Sequence, residues 1–466
     1  MSNNTQEIIL NVQEHLQKVD NAEVGDLDDR LIDQLISLVT IDKSVYENKE
    51  LIKELLVIVV KVLHNTSIDI DFNKLIELLD GLLSSLDFES VVELFKLSSI
   101  VEALNSPNEN LQILALKVSS KANPPDIISN TEIVPKIIHL LATKESSIKV
   151  VNEVEKALGA LVRGELIRRR LLSDSVISVL SNMKSSKDTT LKTRLLDLVV
   201  QMLPFVKEDE LPDGLYLFSD FTTDNDILYT LSLIQFYTQI IEIVDSTLNK
   251  QWLLQKVLPE VQLIGKLYFE RHDNPNVEYF ALTDISLFFK KLSFVSPETF
   301  KPIDQSFIKL THNDNFLLSS INPSYLAIAY PTLLKGIRLT ADTVPVFRNL
   351  ISDESSFHLI QPEITTEKLQ RLSYLEFVAV LNKLSQFQYS AKYLLQNLPQ
   401  IMNKLLQGGN VIEPESFQLR KDTIEKLLAY PDEDLSVWKE ALVGEQYKLT
   451  HGAPMKIQSL VHDGTI

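Results

Sequence analysis

Three consecutive guanidinium groups, Arg168, Arg169 and Arg170, stand in the stretch LVRGELIRRRLLSDSVISVL (Leu161–Leu180) of a chain whose formal charge is −18. Guanidinium groups at this density have three chemical uses. They pair with phosphates, with carboxylates of another protein, or with the open carbonyls at helix C-termini. Other reactive residue types are dispersed. The histidines (His15, His64, His139, His272, His312, His358, His451 and His462) show no ligand spacing, and His139 in KIIHLL reads as a packed or capping residue. Acidic pairs such as Asp28–Asp29 and Glu208–Glu210 imitate a carboxylate dyad, but on polar turns such groups are ordinarily just hydrated. There is no P-loop, G-x-S-x-G elbow, H-E-x-x-H helix or G-x-G-x-x-G turn. Cysteine is absent, which removes thiolate metal sites, thiol nucleophiles and disulfides. The sequence nominates no catalytic residue, no metal ligand and no cofactor site, so the expected protein is not an enzyme.

The elements that carry these residues are helices. With 466 residues the chain exceeds one compact core of roughly 100–200 residues, so it is several domains or one elongated repeat. Only 12 glycines occur, far below average usage of about 7%, where tight turns of an all-β or α/β enzyme would need more. No basic start followed by an apolar core marks a secretory signal, and the most apolar window, LLVIVVKVL (Leu55–Leu63), is too short to span a bilayer. The sequons at Asn3 and Asn65 then read as chance matches. A soluble protein of the cytoplasm is expected, with the nucleus open as a second compartment. Its net negative charge disfavours broad binding to phosphate backbones.

Apolar residues recur at helical spacing from Ile8, Ile9, Val12, Leu16 and Val19 onward, with Asp26 or Asp28 placed to cap the second helix. From about Asn108 a longer rhythm appears. Long helices begin near Asn110, Ser146, Asp188, Asn225 and Pro275, each followed by a short connecting helix and a second helix. That period matches the ~40–47 residues of armadillo and HEAT repeats, whose units stack to share one core. The expected fold is all-α: a C-shaped armadillo/HEAT-like solenoid over residues 1–443, less regular over 1–107 and 300–443, with a flexible tail over 444–466. KPIDQSFIKLTHNDN and ISDESSFHLIQPEITTE read as long connections, and GGNVIEP (Gly408–Pro414) as a loop.

In such a stack the long helices line the concave groove, and their outward residues form polar ladders along that concave face. The spacing places Asn152, Glu153 and Lys156 on one helix, Arg194, Asp197 and Gln201 on the next, and Gln235, Gln239 and Glu242 on a third. The ladder is either a surface for a partner protein or simply the solvated side of amphipathic helices. The two tryptophans, Trp252 and Trp438, do not form the repeated Trp-x-x-x-Asn ladder of nuclear import adaptors. Charge is bipolar: Leu161–Arg194 holds eight cations against three anions, a net of +5, whereas Glu208–Asp226 holds seven anions and no cation. Such polarity suits orientation of a protein with complementary patches. On the short helix ELIRRRLL, Leu166, Ile167, Leu171 and Leu172 are expected to anchor, Arg168 and Arg169 to face outward, and Arg170 to turn toward acidic neighbours.

ELIRRRL (Glu165–Leu171), INPSYL (Ile321–Leu326), SAKYLLQNLPQIM (Ser390–Met402) and LSVWKEAL (Leu435–Leu442) resemble stretches of a fungal protein family, in the same order along the chain. It is the assembly chaperone of the proteasome regulatory-particle base, first named for high spontaneous mutagenesis and linked to DNA mismatch repair; the animal S-five-b chaperone is a more distant relative. The resemblance implies a C-shaped, monomeric helical-repeat chaperone without enzymatic activity. It would hold the C-terminal small domain of a proteasomal ATPase subunit, alongside other base assembly components, and obstruct premature docking on the proteolytic core. No contact residues carry over, because the family has no short binding motif to match. No direct nucleic-acid or membrane contact is expected, and any repair role is indirect. Two other readings stay open: a general scaffold or transport adaptor, and a repair factor that binds DNA itself.

Overall fold

A computed structural model describes residues 3–41, 49–65, 67–84, 86–221, 226–407 and 413–451. These residues are helical throughout, with no strand among them, and form the all-α helical-repeat fold read from the sequence. They group into two compact units. Residues 1–220 with 246–257 make the first, and residues 221–245 with 258–466 the second.

In the first unit a row of helices recurs near the expected period: Asp29–Ile41, Asn73–Ser84, Glu109–Ser120, Ile148–Leu161 and Thr189–Met202. Each neighbouring pair in the row packs together. Three of these helices start where short polar side chains offer an acceptor to the free N-terminal amides. Asn108 accepts from Asn110 N at 2.9 Å, Ser147 from Val150 N at 3.4 Å, and Asp188 from Thr190 N at 3.0 Å. The connecting and second helices follow, as the 3₁₀ turn Pro125–Ile128 with Ile133–Ala142, then Glu165–Leu171 with Asp174–Ser185.

Apolar burial holds the stack together: Leu116, Val154, Leu158, Leu161, Leu195 and Val199 are enclosed. Polar stitches between consecutive repeats fix its register. Lys74 Nζ meets Asp33 Oδ1 at 2.7 Å, Asn110 Nδ2 meets Asn73 Oδ1 at 2.8 Å, and Ser147 Oγ meets Glu109 Oε2 at 2.9 Å. Their separations of 41, 37 and 38 residues are the repeat period itself. Lys121 adds a cross-repeat cap, donating to Leu83 O at 2.7 Å and Ser84 O at 2.6 Å.

The second unit contains Ile227–Ser246, most of Trp252–Phe269, Leu282–Val295, and a series of shorter helices. Ile227–Ser246 is long and apolar enough to span a bilayer by length and composition, yet Leu233, Ile234, Phe236, Tyr237, Ile240 and Ile241 are buried in this unit, as in a core helix. Of the stretches read as connections, KPIDQSFIKLTHNDN holds the end of Pro297–Ile303 and the π-helical turn Asp304–Ile308, and ISDESSFHLIQPEITTE holds Glu354–Ile360 and the start of Thr366–Arg371. Pieces this short give a 3.6-residue period little room to register in sequence. A helix also runs from Lys439 to His451, past the point where the tail was expected to begin. Leu442 is its one buried apolar anchor, and Glu445 meets the buried Arg420 at 2.6 Å; a single apolar anchor leaves little periodic signature. The rest of the expected tail (452–466) and residues 408–412 of the GGNVIEP loop lie outside the described residues.

Candidate partner-binding surface

The arginine helix is the best-anchored of the candidate elements. At its N-terminus Asp126, from the preceding repeat, accepts from Leu166 N at 3.0 Å and Ile167 N at 3.2 Å. Arg168 was expected to face outward. It is half-buried instead, its Nη1 donating to Val162 O and Arg163 O, each at 2.9 Å, where the preceding long helix ends. Four-carbonyl helix ends need such donors, and a planar guanidinium supplies two at once. Arg169 is exposed and, among the described residues, pairs only with Glu165 on its own helix. Arg170 turns back to Glu132 at 3.4 Å, as expected. Ile167 and Leu171 are buried anchors, but Leu166 is exposed.

Arg194 leaves the ladder. It is buried, and its guanidinium donates to Leu141 O at 3.1 Å, Thr143 O at 2.8 Å and Ser146 O at 3.4 Å, closing the end of Ile133–Ala142. The opposed charge blocks also meet within the first unit. Lys184 donates to Gly214 O and Leu217 O, and Lys192 pairs with Asp220. Much of the basic segment is therefore consumed internally; Asp224 of the acidic block lies outside the described residues.

Asn152, Lys156 and Gln201 of the first-unit ladder line an open groove of about 940 Å³ together with Lys121, Glu155 and Arg163, whereas Glu153 and Asp197 are not part of its lining. Asn152 and Lys156 are exposed, and Lys156 reaches Glu153 at 3.1 Å. Gln201 Oε1 is enclosed and has no hydrogen-bond partner among the described residues. Partial desolvation raises the Asp197 carboxyl above the usual range although the residue reaches the surface, and burial together with the Asp197 charge does the same to Glu155. The unpaired Gln201 oxygen, with Glu155 half-buried on the same groove, favours a donor brought by a partner. In the second unit Gln235, Gln239 and Glu242 are exposed along one face of Ile227–Ser246. Gln235 Nε2 meets Asp284 Oδ1 at 3.3 Å, and Glu242 pairs with Lys291.

Sequence reasoning missed the apolar residues beside that second-unit face. Phe280, Leu287 and Phe294 are exposed, while Ile285, Phe288, Phe289 and Leu292 of the same helical run are buried. The available signal was an excess of apolar residues in NVEYFALTDISLFFKKLSF over what one stripe requires.

Residues 13–242 match the family model of the N-terminal domain of DNA mismatch repair protein HSM3, and residues 250–466 match that of its C-terminal domain. The chain belongs to the HSM3 family. The HSM3 protein of Kluyveromyces lactis is 30% identical over 392 residues, covering 82% of this chain and 83% of its own. That of Candida glabrata is 30% identical over 81% and 82%, and that of Saccharomyces cerevisiae 28% over 83% and 84%. All three carry the name DNA mismatch repair protein. Among solved structures, an engineered protein covers 92% of this chain at 13% identity with a TM-score of 0.38, a likeness too slight to carry an argument.

In this HSM3-family chain the four stretches that carry the resemblance are clasps of the fold. ELIRRRL is capped by Asp126 and itself caps the helix before. In INPSYL, Asn322 accepts from Ser324 N at 2.9 Å and donates to Ser293 O at 3.2 Å, while Tyr325 donates to Asp304 at 2.6 Å. In SAKYLLQNLPQIM, Ser390 reaches Leu384 O at 2.7 Å and Tyr393 reaches Ile364 O at 2.9 Å. In LSVWKEAL, Trp438 Nε1 donates to Leu395 O at 2.9 Å. The segments most recognisable as HSM3 thus hold helices together, and the open surfaces lie elsewhere.

Proposed function

We propose that this chain is a non-enzymatic assembly chaperone for the proteasome regulatory-particle base. In this reading it binds the C-terminal small domain of an ATPase subunit and blocks premature docking on the core particle. The observation that carries a partner-binding reading is the first-unit groove, where Asn152 and Lys156 are exposed and the enclosed Gln201 Oε1 is left without a hydrogen-bond partner among the described residues. A buried amide oxygen without a donor is costly until a partner supplies one. The identity of the partner rests on the four stretches that resemble the proteasome chaperone family. The chain acts as a monomer in the cytoplasm and nucleus, with other base assembly factors.

Pull-down of the full chain, followed by identification of bound subunits, tests this directly. ATPase-ring subunits are the expected catch; transport cargo with small GTPases would favour an adaptor instead. Replacing Asp197, Gln201, Gln235 and Gln239 together should weaken binding of an ATPase small domain while the fold is kept. Unchanged affinity removes the ladder from the proposal.

The name shared by the relatives favours a second reading, direct action on DNA. The basic segment is poorly suited to it, because Arg168, Arg194, Lys184 and Lys192 are engaged within the protein and the chain carries a net charge of −18. A gel shift at physiological salt should show no complex, leaving any repair role indirect.

A further inference from the structure

The helical run from the π-helical turn Val277–Ala281 through Leu282–Val295 has two apolar faces. One is buried within the second unit, through Val277, Ala281, Ile285, Phe288, Phe289 and Leu292. The other is bare. Phe280 is 54% exposed, Leu287 43% and Phe294 51%, and Tyr279, 83% exposed, sets its ring edge-on to Phe280 at 5.0 Å. These three positions are seven residues apart, the spacing of one heptad position, and each step advances about 10 Å along a helix. Lys290, on the same face, is exposed and its ammonium has no hydrogen-bond or ion-pair partner among the described residues, whereas neighbouring Lys291 is paired with Glu242. Alongside runs the exposed polar row of Gln235, Gln239 and Glu242, joined to this helix through Asp284 and Lys291.

We infer that this stripe docks an amphipathic helix of the partner protein, one with apolar residues at heptad spacing and an acidic residue set against Lys290. An aromatic and aliphatic centre flanked by a polar row has the anatomy of a protein interface. The heptad spacing selects a helix over an extended peptide, whose side chains repeat every two residues. The unpaired ammonium selects an acidic flank on that helix. A second copy of the chain is disfavoured by the mutual repulsion of two molecules that each carry a charge of −18. The inference deepens the chaperone reading and rests on it for the partner's identity.

The test uses the full chain with the C-terminal small domains of the ATPase subunits, measured by calorimetry. The replaced side chains are exposed, so Phe280→Ala/Leu287→Ala/Phe294→Ala should keep its fold, checked by circular dichroism, and lose at least a hundredfold in affinity. Lys290→Glu should lose about tenfold and Lys290→Arg almost nothing. If the unaltered chain binds a small domain and all three variants bind within twofold of it, the stripe is overturned while the chaperone reading survives. If no small domain binds, the chaperone reading fails. The stripe is then tested with a synthetic heptad peptide carrying Leu at a and d and Glu at e and g, which should bind the unaltered chain and lose at least tenfold to the triple variant. Absent or equal binding overturns the stripe as well. A dimer by sedimentation equilibrium that disappears in the triple variant assigns the stripe to a second copy and likewise overturns the proposal.

Discussion

Asp126 and Gly164 fit together only because Gly164 has no Cβ. An added methyl would overlap Asp126 Oδ1, the oxygen that accepts from Leu166 N and Ile167 N. Gly164 is in an ordinary extended conformation, with φ −73°, so the requirement is close approach, and no special backbone angle is involved. Gly164→Ala should therefore cost about 1–3 kcal/mol by crowding, and Asp126→Ala about 1 kcal/mol by loss of the cap. In the double variant the two costs should fall well short of their sum, because the second change removes the atom the first collides with. Urea midpoints at constant slope measure this; full additivity would show that the two residues are not coupled.

Arg168 and Arg169 are adjacent in sequence and opposite in role. Arg168→Ala strips donors from Val162 O and Arg163 O and should cost about 1 kcal/mol. Arg169→Ala loses only an exposed pair with Glu165 and should stay within about 0.5 kcal/mol. Equal losses in thermal or chemical denaturation would contradict the assignment.

Arg194 should behave as a stability residue and not as a contact. Arg194→Met leaves three carbonyl acceptors short of a donor and should cost about 1–3 kcal/mol. Arg194→Lys should recover little, because one ammonium cannot reproduce the planar fork. Partner affinity per folded molecule should be unchanged; a large affinity loss at intact stability would return Arg194 to the binding surface.

Glu445 holds the last described helix to Arg420, which also donates to Leu405 O at 2.8 Å. Glu445→Ala strands a buried guanidinium and should cost about 3–5 kcal/mol. Replacing both residues with apolar ones should cost less than that single change. Chain truncation before Lys439 should mimic Glu445→Ala, as read by proteolysis of the second unit.

Asp304 gives the second unit a pH dependence. It is fully buried, and burial raises its carboxyl above the usual range although hydrogen bonds from Tyr325 at 2.6 Å and Tyr330 at 2.8 Å pull the other way. The folded state then keeps this proton to higher pH than the unfolded chain does. Its contribution to stability falls as pH rises from the ordinary aspartate range through the raised value, and the loss is complete above that. Asp304→Asn cannot titrate, so its deficit relative to the unaltered protein should be smaller at pH 7.5 than at pH 5. A deficit independent of pH would place the titration elsewhere.

The sequence by itself determined the helical class and the positions of the long helices. The starts read near Asn110, Ser146 and Asp188 coincide closely with the caps at Asn108, Ser147 and Asp188, and helical apolar spacing puts Val154, Leu158, Leu161, Leu195 and Val199 on the face that packs. Both signals are local, so they survive in one dimension. The fate of the polar residues was decided only by tertiary structure. Arg194 and Asp197 lie three residues apart on one helix, yet one is buried against carbonyls more than forty residues earlier and the other opens to the surface. Helical spacing alone does not say which of them meets a neighbouring repeat. The same holds for Phe280, Leu287 and Phe294: their apolar character predicts burial, but the buried side of that helix is already occupied by Ile285, Phe288, Phe289 and Leu292. A helix can bury only one broad stripe against its own unit, and which stripe is covered depends on the neighbours that the folded chain supplies.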